Sequence, residues 1–103
     1  MIISNVRYVV QAEYAAQNQK NIRQVVKDLQ ALGRTDLAYN VFVEEDGKTF
    51  LHRLVCASDE AREVFTQLPA FKAFQEALRA SQPEVLPIAT RLTLVGTTKD
   101  LLS

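Results

Sequence analysis

Three features of this 103-residue sequence predict an α+β fold of the ferredoxin-like kind. Two runs rich in β-branched and aromatic residues flank Asp46-Gly47 and read as a hairpin, and a further strand-like run stands near each end of the chain. Two stretches of helical periodicity fill the gaps between them. In order these give β-α-β-β-α-β, the split βαβ arrangement, with four antiparallel strands in one sheet and both helical regions on one face.

Residues 2–11, IISNVRYVVQ, hold no Gly or Pro and suit a strand whose Val6, Tyr8 and Val10 share the apolar side. From about Asn18 the apolar residues Ile22, Val25, Val26, Leu29 and Leu32 recur at helical spacing, and Gly33 follows where a left-handed cap is expected. Asp46-Gly47 predicts a tight type I′ turn, which pairs Val43 with Phe50, Val41 with His52, Asn40 with Arg53 and Tyr39 with Leu54. One face of that hairpin carries Tyr39, Val41, Val43, Phe50, His52, Leu54 and Cys56, and the other Asn40, Phe42, Leu51, Arg53 and Val55. Ser58 is an N-cap candidate with Asp59 and Glu60 in the first helical turn after it. Pro69 breaks that helix and starts another, which sets Phe71, Phe74 and Leu78 on one side. Pro87 to Thr97 reads as the last strand, with Ile88, Leu92 and Leu94 on one side and Arg91, Thr93 and Val95 on the other.

Composition bounds the function. One domain spanning 1–103 is expected, with 48% apolar residues supplying its core. Twelve basic and 12 acidic residues cancel, so no overall field favours nucleic acid or an anionic membrane surface. No apolar run approaches the roughly 18 residues of a membrane helix. Cys56 is the single cysteine, which excludes an internal disulfide, and the N-terminus lacks the pattern of a signal peptide. A soluble, cytoplasmic protein is the expectation. His52 is the single histidine, so no multi-His metal site is expected, and no phosphate-binding glycine loop or serine-nucleophile motif is present.

With both helical regions on one face, the other sheet face would expose Val9, Phe42, Leu51, Val55 and Val95 around Arg7, Asn40, Arg53 and Arg91. That much apolar surface predicts a second copy packed face to face, a homodimer. The guanidinium groups of Arg7, Arg53 and Arg91 on that face have two readings: an anion or carboxylate site inside the dimer, or pairing with acids such as Glu13 or Glu44 of the partner.

The element order, this dimer argument and the stretch ASDEAREVFTQLPAFKAFQEALRA resemble the antibiotic biosynthesis monooxygenase-like superfamily. The resemblance runs from the first strand to Val95 and rests on the Ser58-Asp59-Glu60-Ala61 helix start and the FKAF segment after Pro69. It implies a dimeric α+β barrel, in a group that includes cofactor-independent oxygenases, haem-degrading enzymes and domains without known activity. Haem-degrading relatives use an Asn on the first strand, which Asn5 matches. Their Trp falls on Cys56 and their helix-borne His near Gln75 or Ala77, so haem degradation is disfavoured and no cofactor is expected. Ala70 stands where many monooxygenase-like members carry a His before the helix-borne Phe.

The candidate catalytic residue is then His52, on the helix-facing side, where partial burial would tune it as a general base. Tyr8, Tyr39, Phe71 and Phe74 would bind and orient a small aromatic substrate in a pocket between sheet and helices. Asn5, Arg7, Asn40, Arg53 and Arg91 make up the dimer-face or anion-binding set. Each of the pocket residues also has a plain reading as hydrogen-bonded core. Two functions stay open: a cofactor-independent oxygenase, and a non-catalytic binding dimer using the same pocket.

Overall fold

The computed structural model describes residues 1–102. Strand β1 (Ile2–Val9) leads through a 3₁₀ turn (Ala12–Tyr14) into helix α1 (Ala15–Leu32). The hairpin of β2 (Leu37–Val43) and β3 (Thr49–Cys56) follows, then helices α2 (Asp59–Thr66) and α3 (Pro69–Ala80), and finally β4 (Val85–Leu92). The sheet order is β2-β3-β1-β4 with every neighbour antiparallel, the ferredoxin-like topology that the element order predicts. Among the described residues no helix is long and apolar enough to cross a membrane.

Local chemistry explains the element ends. Helix α1 buries Asn18, Ile22, Val25 and Leu29, one stripe at three- and four-residue spacing, and stops at Gly33, whose φ of 64° closes the last turn. The Ser58 hydroxyl accepts from the Ala61 N–H at the start of α2, where Asp59 and Glu60 complement the helix dipole. Leu68 is extended and Pro69 occupies the first turn of α3, where its missing N–H costs nothing.

The hairpin pairs Val43 with Phe50, Val41 with His52, Asn40 with Arg53 and Tyr39 with Leu54, the register expected from its sequence. Its turn differs from expectation. A type I′ turn needs positive φ at both central residues, and only Gly47 has it, at 75°. The Gly47 N–H instead donates to the Glu44 carbonyl, and Asp46 Oδ1 accepts from the Lys48 and Thr49 N–H groups. The Asp46 side chain organises the loop, so Asp46 itself stays on the ordinary side of φ. The Glu44 N–H to Thr49 carbonyl bond closes the ladder and preserves the register.

The core lies between the sheet and the helices, where Tyr8, Val10 and Phe50 meet Ile22, Val25, Phe65, Phe74 and Leu78. Burying each such large side chain is worth roughly 1.5–3 kcal/mol.

The expected last strand is displaced and its faces are exchanged. It spans Val85–Leu92 rather than 87–97, and all eight residues are exposed. Arg7 pairs with Ile88 while Val9 pairs with Val85, so Leu86 and Pro87 together stand opposite Tyr8 in a β-bulge. Beyond it, Ile88 and Leu92 align with Arg7 and Ile3 on the outer face, and Arg91 aligns with Ser4 on the helix-facing side. The expectation that Arg91 joins Arg7 and Arg53 is thereby corrected. The larger aliphatic set does not take the inner face here, because the bulge turns Leu86 and Pro87 inward in its place.

Val55 also departs from the expected open face: it is buried, as is its β1 partner Ile3. They are 0% and 7% exposed. Ile3 lines a small cavity with Leu92–Thr97 and Leu101, so the C-terminal stretch folds back over that end of the outer face instead of extending β4.

Gly47 has open space around its α-carbon, so replacing it tests backbone conformation alone. Gly47→Ala is expected to destabilise the fold by about 1 kcal/mol and Gly47→Asn by less, since Asn tolerates left-handed backbone. Urea denaturation of the three proteins checks this ordering.

Candidate functional site

The β2–β3–β1 register builds the site. His52 lies level with Val41 on β2 and Val6 on β1. Tyr39 is two residues along β2 from Val41, and Tyr8 two residues along β1 from Val6, in opposite directions. The two phenols therefore flank the imidazole diagonally, within reach of long side chains. The Tyr8 hydroxyl is 2.7 Å from His52 Nε2 and the Tyr39 hydroxyl 2.7 Å from Nδ1. On the far side of Tyr8, Asn18 Nδ2 of α1 donates to the Tyr8 oxygen at 2.9 Å.

These contacts give the chain of bonds a direction. With its oxygen accepting from Asn18, Tyr8 directs its own proton to Nε2. The remaining imidazole proton then resides on Nδ1 and is donated to the Tyr39 oxygen. The Tyr39 proton is left pointing onward. With Asn18 Nδ2 as the donor to Tyr8, the reverse tautomer would leave the Tyr8 proton without an acceptor, which burial penalises. Asn18 Oδ1 is buried without a hydrogen-bond partner among the described residues.

Burial sets the charge state. His52 is 6% exposed, and desolvation of the imidazolium pushes its pKa from 6.5 down to about 4. Burial likewise raises both phenols well above their ordinary value, with Tyr8 adding to the rise at Tyr39. At neutral pH the assembly is uncharged. It can orient a hydrogen bond; holding a net proton on His52 is costly.

Tyr8, Tyr39 and His52 open onto a cavity of about 480 Å³ between sheet and helices. Its walls include Phe65, Phe71 and Phe74, and the bulged Leu86 and Pro87 close the β4 side. Ring centroids lie 4.9 Å apart for Tyr39–Phe65 and 5.3 Å for His52–Phe74, within the range of favourable aromatic packing, and 4.3 Å for the tighter Phe65–Phe71 pair. Such a site suits a flat apolar body.

The five pocket candidates, His52, Tyr8, Tyr39, Phe71 and Phe74, thus line one cavity. His52 touches it with both ring nitrogens already engaged, so Tyr39 is the group in position to meet a ligand. Asn5 lies opposite Arg53 on the other face of the sheet, away from the pocket, unlike a residue that would contact a cofactor within it. There, Arg53 donates to Asn40 Oδ1 at 3.0 Å, and Arg7 approaches Glu44 of its own chain at 3.6 Å. Cys56 is fully buried, and burial raises its thiol pKa. Among the described residues no group of acidic, His or Cys side chains could hold a metal ion.

Sequence reasoning passed over Asn18, Gln75, Arg62 and Arg79. Asn18 carries a readable signal, since a polar residue begins an otherwise apolar stripe. Gln75, Arg62 and Arg79 also line the pocket, but exposed polar positions on helices read as solvated surface.

No family model matches this chain, and no curated protein matches it. Solved structures do. An antibiotic biosynthesis monooxygenase superposes with a TM-score of 0.77 at 14% identity, covering 93% of this chain and 100% of the other. A variant of SnoaB, a cofactor-independent oxygenase from Streptomyces nogalater, gives 0.69 at 16% identity, covering 96% and 97%. Rv0793 from Mycobacterium tuberculosis gives 0.77 at 10% identity, covering 95% and 98%. The chain has the fold of the antibiotic biosynthesis monooxygenase-like proteins over nearly its whole length.

The neutral histidine has a measurable consequence. Its folded pKa is depressed, so the unfolded chain binds the extra proton and stability falls as pH drops from 6.5 towards 4. Between pH 7 and 4.5 His52 is expected to cost the fold on the order of 2 kcal/mol, a loss absent from His52→Gln. Denaturation of both proteins at the two pH values checks it; parallel losses would contradict the buried neutral imidazole.

Proposed function

We propose that this domain takes a small aromatic molecule into the pocket between sheet and helices, with an oxygen atom of that molecule accepting from Tyr39. The observation that carries this reading is the oriented Asn18–Tyr8–His52–Tyr39 chain, which ends in a free donor at an aromatic-walled cavity. A buried polar chain serves a ligand best when its last proton meets an acceptor that belongs there. The expected result is that 2-naphthol binds, that Tyr39→Phe weakens it about tenfold, and that native mass spectrometry recovers the ligand unchanged. Equal affinity of wild type and Tyr39→Phe in calorimetry would remove Tyr39 from the role.

A second reading, cofactor-independent oxygenation, is favoured by the structural likeness to SnoaB. A quinol or enol that has lost its proton to bulk solvent is the electron-rich form that would reduce dioxygen, and the Tyr39 hydroxyl would stabilise its oxygen. His52 would act through Tyr39, orienting the phenol rather than touching substrate. Any turnover should then be lost in His52→Ala and strongly reduced in Tyr39→Phe, read as oxygen consumption with a quinol. Retained activity in both variants would leave the binding reading alone.

The partner most consistent with the outer face is a second copy of the chain. Phe42 and Ile88 are 57% and 63% exposed there, at the two ends of the row Phe42–Leu51–Arg7–Ile88 that runs beside the polar row Asn40–Arg53–Asn5–Thr90. Face-to-face packing would bury them. Sedimentation at micromolar concentration should give twice the 11.6 kDa chain mass, and Phe42→Lys should shift it towards monomer. A wild-type monomer would rule the dimer out.

A further inference from the structure

We propose that the molecule taken by the Tyr39 pocket is an anion: a flat apolar body bearing a carboxylate, held at the cavity wall by Arg62 and Arg79. This rests on the pocket reading above and narrows it to a chemical class. Two helices carry the groups. Arg62 projects from α2 one turn before Phe65, and Arg79 from the last turn of α3, one residue after Leu78. Both line the same cavity as Tyr39.

The charge balance of the lining is one-sided. Its polar members include Ser4, Thr66 and Gln75 besides the tyrosines and His52, and no carboxylate is among them. Neither arginine has a carboxylate partner among the described residues, although Glu63 adjoins Arg62 and Glu76 lies three residues before Arg79. Other cations of this molecule do find one: Arg34 holds Asp36 and Glu60, Arg7 approaches Glu44, and Lys48 holds Glu84. The strand register adds a third guanidinium to this side, since Arg91 aligns with Ser4 of the cavity lining. Cationic groups from α2 and α3 thus line a cavity whose floor is neutral, and Arg91 of β4 lies on the same side of the sheet without lining it. Field lines from unpaired charges beside low-dielectric aromatic walls attract an anion. Guanidinium groups match a carboxylate with paired hydrogen bonds. The ligand this predicts has an oxygen acceptor at the Tyr39 end and its carboxylate at the arginines.

The test uses two probes that share a naphthol body and differ by one carboxylate group, 6-hydroxy-2-naphthoate and 2-naphthol, titrated into the full chain by calorimetry at low salt. Wild type is expected to bind the carboxylate about tenfold more tightly, with the advantage shrinking in 0.5 M NaCl as surface charge is screened. Arg62→Gln and Arg79→Gln together should bring the affinities of the two probes together, so that their ratio falls to about one; the single variants assign the share of each arginine. Circular dichroism checks that these exposed substitutions leave the fold intact. Equal binding of the two probes by wild type, or an advantage that survives in the double variant, would overturn the anion inference while leaving the pocket standing. Binding of neither probe at millimolar concentration would overturn the pocket reading and this inference with it.

Discussion

His52 sits between two phenols because the β2–β3 hairpin sets it level with Val41, and β1 sets it level with Val6. A slip of one residue in either ladder would carry the imidazole to the outer face and break both 2.7 Å contacts. The ring is buried and therefore neutral, and a neutral ring can accept on one nitrogen and donate on the other. The same burial raises both tyrosines, so no member of the chain carries charge at neutral pH. Register, burial and hydrogen bonding thus specify one arrangement of protons.

Asn18 ties that arrangement to the helical layer. An apolar contact between α1 and the sheet would tolerate small rotations of the helix, because hydrophobic packing has little directionality. The bond from Asn18 Nδ2 to the Tyr8 oxygen has a fixed geometry and anchors α1 at one point over β1. Helices α2 and α3 contribute aromatic walls and exposed arginines but no hydrogen bond to the chain of four residues. The sheet and α1 therefore hold the polar chain, and α2 and α3 wall the cavity opposite it.

Much of this was legible in the residues. Asp46-Gly47 located the hairpin, and the alternation around it brought Tyr39 and His52 to one face, so strand order and pocket floor follow from pattern. The turn type did not follow, because Asp46 can accept bonds from the Lys48 and Thr49 N–H groups and so avoids positive φ. The phase of β4 was hidden for a different reason. Apolar residues occupy both of its faces, and the bulge at Leu86-Pro87 depends on a partner strand that local periodicity does not contain. The fold-back over Ile3 is likewise tertiary: Thr93 to Thr97 alternates like a strand but lies beyond the paired segment.

The bulge at Leu86-Pro87 bears on how copies of this chain can meet. Strand β4 is an edge of the sheet and is exposed along its length, so its free backbone groups invite another strand. Pro87 has no N–H to offer, and the bulge beside it twists the edge out of the plane that a continuous ladder requires. Edge-to-edge growth, the route to open-ended fibrous assembly, is obstructed at the strand most open to it. The proposed dimer would instead use the sheet face, where two copies would close on each other and stop.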